Sequence, residues 1–202
     1  MGDQYRGKEI RRDALPQDRI PPGQFVTSKF PVLTYGPTPR IDPARWRFRL
    51  FGLVEGERLL TWEEFQALPR TTVTADFHCV TQWSRLNNVW EGVRARTLVE
   101  MARPRREARF VLVHCYGGYT TNLLLEDLLA DTTLFADRLD GQPLSPEHGG
   151  PLRLVVPHLY GWKSAKWVNG LEFMDREVPG FWEQRGYHMR GDPWKEERFW
   201  GD

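Results

Sequence analysis

Between Arg109 and Cys115 the chain reads Phe110-Val111-Leu112-Val113-His114, and it then turns through Tyr116-Gly117-Gly118-Tyr119. An apolar, β-branched run this short, bounded by a flexible turn, suits a buried strand. Other strands must flank it, and the chain supplies them. Arg45-Trp46-Arg47-Phe48-Arg49-Leu50 alternates strictly, which sends Trp46, Phe48 and Leu50 to a core and the arginines to water. Thr71 to Phe77, Leu152 to Val156 and Trp167 to Phe173 read as further strands. Gln24 to Val32 reads as a strand or a packed extended segment. The helices are short. Thr61-Trp62-Glu63-Glu64 is a capping box between Leu60 and Phe65, and its helix should stop before Pro69. Thr97 opens a second helix over Leu98 to Ala102, and a third covers Leu124 to Ala130. Arg85 to Arg96 reads as a loop. Short strands and short helices without a regular βαβ repeat give an α+β fold.

A chain of 202 residues is enough for one sizeable core, and no repeat or clean linker divides it. Residues 1–24, with Pro16, Pro21, Pro22 and Gly23, read as an extended arm, and residues 25–202 as one domain. The tail from Gly180 onward is aromatic yet broken by Gly186, Gly191 and Pro193, so it should wrap irregularly over the domain. With 28 basic against 27 acidic side chains there is no global field for nucleic acid or an anionic membrane. No apolar run approaches the ~20 residues of a membrane span. Arg11-Arg12 is followed by Asp13-Ala14-Leu15-Pro16, not by the apolar run of an export signal. Two cysteines are usual in a reducing compartment, and the cytoplasm is the expected location.

Chemistry concentrates in two stretches. In Asp76-Phe77-His78-Cys79-Val80-Thr81-Gln82-Trp83-Ser84-Arg85 a strand delivers a thiol and breaks into a polar loop. Cys79 reads as a small buried hydrophobe, or as a thiol activated by His78 and Arg85. The pairs His78-Cys79 and His114-Cys115 suggest zinc, but in extended chain each His and Cys point to opposite faces. The second stretch runs from Asp140 to Val168. Glycines at 149, 150 and 161 allow close backbone approach to a ligand. Arg153 within an apolar strand needs an anion if it points inward. Lys163, Ser164 and Lys166 would complete a phosphate clamp. Equally, the lysines could be surface cations and Arg153 could pair with a protein carboxylate.

Together, "HCVTQWS" at 78–84, "DGQPLSPEHGGPLRLVVP" at 140–157 and "GWKSAKWV" at 161–168 resemble the molybdopterin domain of the sulfite oxidase superfamily. The chain is most similar to the small single-domain bacterial branch, related to the methionine-sulfoxide-reducing catalytic subunit. The resemblance implies mixed sheets with short helices and a cofactor of molybdenum and molybdopterin. It implies that Cys79 is the thiolate ligand of the metal, and that His148, Arg153, Ser164 and Lys166 hold the pterin and its phosphate. Lys163, His114, and Ser28 and Lys29 of "FVTSKFPV" are further cofactor contacts by the same likeness, while Cys115 belongs to the core. Arg85 and Tyr160 are candidates for substrate contact from their location. Sulfite oxidases place a tyrosine four residues before the Gly-Gln-Pro-Leu turn, where this chain has Asp137, and they carry more arginine after the cysteine. Sulfite is therefore a poor candidate.

The expectation is a monomeric oxidoreductase that transfers an oxygen atom or two electrons. Its substrate would be a small molecule such as a sulfoxide, and a separate partner would carry the electrons. The alternatives are a non-catalytic domain for an anionic, nucleotide-like ligand and a metal-free thiol enzyme using Cys79.

Overall fold

The structure, a computed structural model, describes residues 16–202. Most of the expected arm therefore lies outside the described residues. Its last part is not simply extended, because Gln17–Arg19 forms a 3-10 turn. Arg19 there donates two hydrogen bonds to Asp76.

The strands are β1 (Phe25–Val26), β2 (Arg47–Gly52), β3 (Arg58–Thr61), β4 (Arg70–His78), β5 (Trp83–Arg94), β6 (Phe110–Cys115), β7 (Thr120–Leu124), β8 (Leu134–Leu139), β9 (Gln142–Pro143), β10 (Arg153–Val155) and β11 (Val168–Met174). The helices are α1 (Trp62–Gln66), α2 (Ala95–Ala102) and α3 (Leu125–Leu128). Thr61 caps α1 as its sequence predicts, with Glu64 reaching back to the Thr61 amide. Two mixed sheets result. In one, β3-β2-β11-β6-β7 lie in that order, with β11 parallel to β2 and antiparallel to β6. In the other, β5 pairs with β4 along its length, with β1 at its start and with β8 at its end, and β8 carries β9 and β10.

Two sequence readings are corrected. Arg85 to Arg96 is not a loop: residues up to Arg94 continue β5, and the chain then enters α2. Its polar residues are absorbed locally, since the Asn88 side chain donates to the carbonyls of Ala75 and Arg85. Strands β3, β7, β8 and β9 also went unread, and β7 returns from the Gly117-Gly118 turn to pair with β6.

The main core fills the space between the sheets. Phe48 and Leu50 of β2, Val111 and Val113 of β6 and Leu171 of β11 meet Val93, Phe135 and Leu154 of the other sheet. A smaller cluster covers the opposite face of that second sheet, with Val73, Phe77, Trp83, Trp90 and Val155 packed under Phe30 and Leu33. Cys79 belongs to this smaller cluster, and so the candidate site lies on the outer face of the β5 sheet.

Candidate functional site

The β4–β5 hairpin fixes Cys79 at its tip. The Cys79 amide donates to the Trp83 carbonyl at 2.8 Å, and the Gln82 amide returns to the Cys79 carbonyl at 3.0 Å. Gln82 takes the left-handed conformation that closes this tight turn, φ 73°. The buried Gln24 side chain donates to the same carbonyl at 3.1 Å. The thiol sits at the edge of a cleft of about 350 Å³, which Thr81 also lines. His78 is turned elsewhere, with its Nδ1 2.8 Å from Ser84 Oγ.

Arg153, Ser164, Lys166 and His148 line the same cleft. Gly149 makes that grouping possible. Its φ of +107° suits glycine, and a Cβ there would stand 3.0 Å from Arg153 Cβ and 3.1 Å from Lys166 Cβ. The close approach at Gly149 is to protein and not to a ligand. Gly150 packs likewise on the Leu144 carbonyl, whereas Gly161 packs on the Phe77 ring and also lines the cleft. Arg153 and Lys166 are also joined by an isolated antiparallel bridge.

Arg153 is 3% exposed, yet no carboxylate lies within ion-pair distance of it among the described residues. It donates to the carbonyls of His148 and Ser164, both at 2.9 Å, while its Nε is buried without a partner. The rings of Phe30, Phe77 and Trp90 surround the guanidinium at 5.4–5.6 Å. Burial pulls its pKa down to about 10. A buried cation held only by neutral groups is expensive unless an anion completes it. Lys166 donates to Thr34 Oγ1 and Glu147 O at 2.6 Å and to Leu33 O at 2.9 Å. These acceptors too are uncharged. The Ser164 hydroxyl accepts from the Val156 amide at 2.9 Å, so Ser164 braces the strand that carries Arg153. His148 Nε2 lies 2.9 Å from the Phe30 carbonyl and must donate to it, which leaves Nδ1 to accept from Ser145 Oγ at 3.0 Å. Burial lowers the His148 pKa and favours this neutral form.

The other expected site residues are not brought to the cleft. Lys163 is fully buried behind it, 2.6 Å from Glu183 Oε1 and bonded to the Asn122 carbonyl and side chain. Its charge is already matched, so it has no donor left for a phosphate. His114 lies on β6 in the other sheet and pairs with Glu172 at 2.9 Å. Arg85 pairs with Asp140, and its Nε donates to the exposed Ser28 carbonyl. Lys29 is exposed beside it. Tyr160 is buried, stacked on Trp162, with its hydroxyl accepting from Arg198. Asp137 pairs with Arg70 away from the cleft. Sequence reasoning missed Thr81 and the aromatic wall of Phe30, Tyr119, Trp162, Trp182 and Tyr187. Thr81 was findable two residues beyond the thiol, but the rings come from four distant segments.

Burial raises the Cys79 pKa, with the Thr81 hydroxyl and the Val80 and Thr81 amides opposing it. A thiol held neutral in this way is a poor free nucleophile, which weighs against the metal-free thiol enzyme. The two His-Cys pairs sit on different sheets, at the end of β4 and at the end of β6, which removes a shared zinc site. The donor set does fit a molybdopterin: a soft sulfur for a soft metal, and a buried unpaired guanidinium beside a lysine for the phosphate.

Burial, helped by Arg153, also lowers the Lys166 pKa to about 7. In the unfolded chain a lysine keeps its proton to about pH 10.4. Between these values the unfolded state binds more protons, so this group makes the cofactor-free protein more stable as pH rises. Denaturant titrations at pH 7 and pH 9 should show a gain for the wild type that is smaller in Lys166→Met. Equal slopes in the two proteins would contradict the assignment.

Residues 35–182 match the family described as "Oxidoreductase molybdopterin binding domain". The chain is 51% identical over 199 residues to the oxidoreductase YuiH of Bacillus subtilis (strain 168), covering 98% of this chain and 100% of that protein. It is 30% identical to the protein-methionine-sulfoxide reductase catalytic subunit MsrP of Campylobacter jejuni, over 87% of this chain and 64% of that one. Among solved structures it resembles the sulfane dehydrogenase SoxCD of Paracoccus pantotrophus, with a TM-score of 0.64 and 26% identity, over 70% of this chain and 41% of that one. No helix among the described residues is long and apolar enough to cross a membrane. The matched fold, the thiol and the uncompensated cations agree, and the chain belongs to the molybdopterin-binding oxidoreductases of the sulfite oxidase superfamily.

Proposed function

We propose that this enzyme holds molybdenum through the Cys79 thiolate and reduces a small sulfoxide. The observation that carries the reading is one cleft with Cys79 at its edge and the unpaired Arg153 beside Lys166 in its wall. Arg153 and Lys166 hold the cofactor's phosphate, Ser164 braces the Arg153 strand, and neutral His148 ties the Phe30 segment over the guanidinium. When bound, the metal supplies oxygen-atom transfer coupled to a two-electron change. The protein supplies position, exclusion of water and a pocket that selects. That pocket is mainly aromatic, with Tyr119, Trp162, Trp182 and Tyr187 on one wall. Such a wall suits the apolar substituents of a neutral sulfoxide. A sulfite dianion would find no free arginine there, because Arg85 is committed to Asp140 and Arg153 to the cofactor. The name of the Campylobacter relative points to the same substrate class.

On this reading residues 25–202 form the catalytic domain and act as a monomer in the cytoplasm, and a separate redox protein delivers the electrons. Protein made in a cofactor-competent host should carry molybdenum near one per chain and reduce a dialkyl or methionyl sulfoxide with an artificial electron donor. Faster turnover of sulfite than of sulfoxide would refute the substrate assignment. Arg153→Ala removes two charge-assisted donors, which should weaken cofactor binding by about ten- to a hundred-fold, or about 1.5–3 kcal/mol. Cofactor content after purification measures this, and wild-type content in the variant would contradict it.

A further inference from the structure

The turn that presents Cys79 also folds a hydroxyl back onto its sulfur. Thr81 Oγ1 lies 3.1 Å from Cys79 Sγ. Thr81 is exposed to the cleft, so no burial requirement forces its hydroxyl onto the thiol. Cys115 offers an internal contrast. It is as buried as Cys79, but burial alone acts on its thiol, and its sulfur makes no hydrogen bond among the described residues. The contact is therefore a property of the Cys79 turn and not of buried cysteine in this fold.

Protonation decides the direction of this bond. Between a thiol and a hydroxyl either atom can donate, but a thiolate has no proton and only accepts. A metal-bound cysteine is deprotonated, so the Thr81 hydroxyl must then donate. We propose that Thr81 is a positioning residue of the metal centre, whose hydroxyl donates to the Cys79 thiolate and draws charge from the sulfur. This inference rests on Cys79 as the metal ligand. A sulfur that gives less charge to its metal stabilises the oxidised state less, and the reduction potential rises. The hydroxyl thereby eases delivery of electrons from a partner and limits the reducing drive on the substrate. It also fixes the sulfur's direction at the tip of the hairpin.

Thr81→Val preserves shape at an exposed position and deletes the donor, whereas Thr81→Ser keeps it. The wild type, both variants and Cys79→Ser, each purified with cofactor, would be compared in metal content, sulfur-to-metal charge-transfer absorption and midpoint potential. Thr81→Val should keep its metal, move the absorption band to longer wavelength and lower the midpoint potential. Thr81→Ser should keep both values of the wild type. A valine variant with the wild-type band and potential overturns the proposal, as does a serine variant displaced as far as the valine one. A Cys79→Ser protein whose band and midpoint potential match those of the wild type would instead remove the ligand assignment itself, whatever the Thr81 variants show.

Discussion

Cys79→Ser should yield a folded protein without turnover above background. The side chain is small and 7% exposed, and serine is nearly isosteric with it. The new hydroxyl would find Thr81 Oγ1 where the thiol now does, so its buried polar group is not orphaned. The backbone of the turn, held by the Trp83 and Gln24 contacts, does not depend on sulfur. Stability should therefore change by no more than about 1–2 kcal/mol. Chemistry is a different matter, because a neutral hydroxyl cannot replace a soft thiolate at a sulfur-rich metal. Thermal unfolding and sulfoxide turnover of the same preparation separate the two effects. A serine variant with wild-type turnover would eliminate Cys79 as the ligand. A Cys115→Ser control should leave the metal site intact, since Cys115 lies in the core between the sheets.

Lys163→Met should be the most destabilising single change near the site. Lys163 and Glu183 are both fully buried and 2.6 Å apart. Removing the lysine leaves the Glu183 carboxylate with only neutral partners, chiefly the Trp162 indole N–H at 2.8 Å. Breaking a buried pair on one side costs about 3–5 kcal/mol. For a chain of this size that is a fall in Tm of roughly 6–20 °C. The double variant Lys163→Met with Glu183→Gln should recover much of the loss. Its amide oxygen still accepts from Trp162, and no unpaired charge remains. A double variant no more stable than the single one would show that the ammonium serves mainly Asn122 and Met189, whose oxygens it also bonds. Because Trp162 lines the cleft, the single variant should also loosen the aromatic wall.

Some of this was legible in the residues before any coordinates. Alternation placed Phe48 and Leu50 inward, the capping box placed α1, and the β-prone run delivered Cys79 at its end. Each of these depends on period or on neighbours within one turn. The β5 strand was not legible, because Asn87, Asn88 and Glu91 look like a loop until β4 is laid beside them. Gly92 misled in the same way: a Cβ there would stand 1.9 Å from the Phe135 carbonyl, so its role appears only with β8 in place.

The cations show the same boundary. Lys163 and Lys166 are three residues apart in one motif and look interchangeable in sequence. One is sealed against Glu183 and the other stands beside Arg153 in the cleft. Sequence alone determined that a thiol, an arginine within an apolar run and a set of lysines were present, and that short strands would carry them. Tertiary structure decided which of those charges is already neutralised, because the neutralising group sits twenty residues away in the tail. The energy of a buried charge depends on its spatial partners, and local sequence carries no record of them.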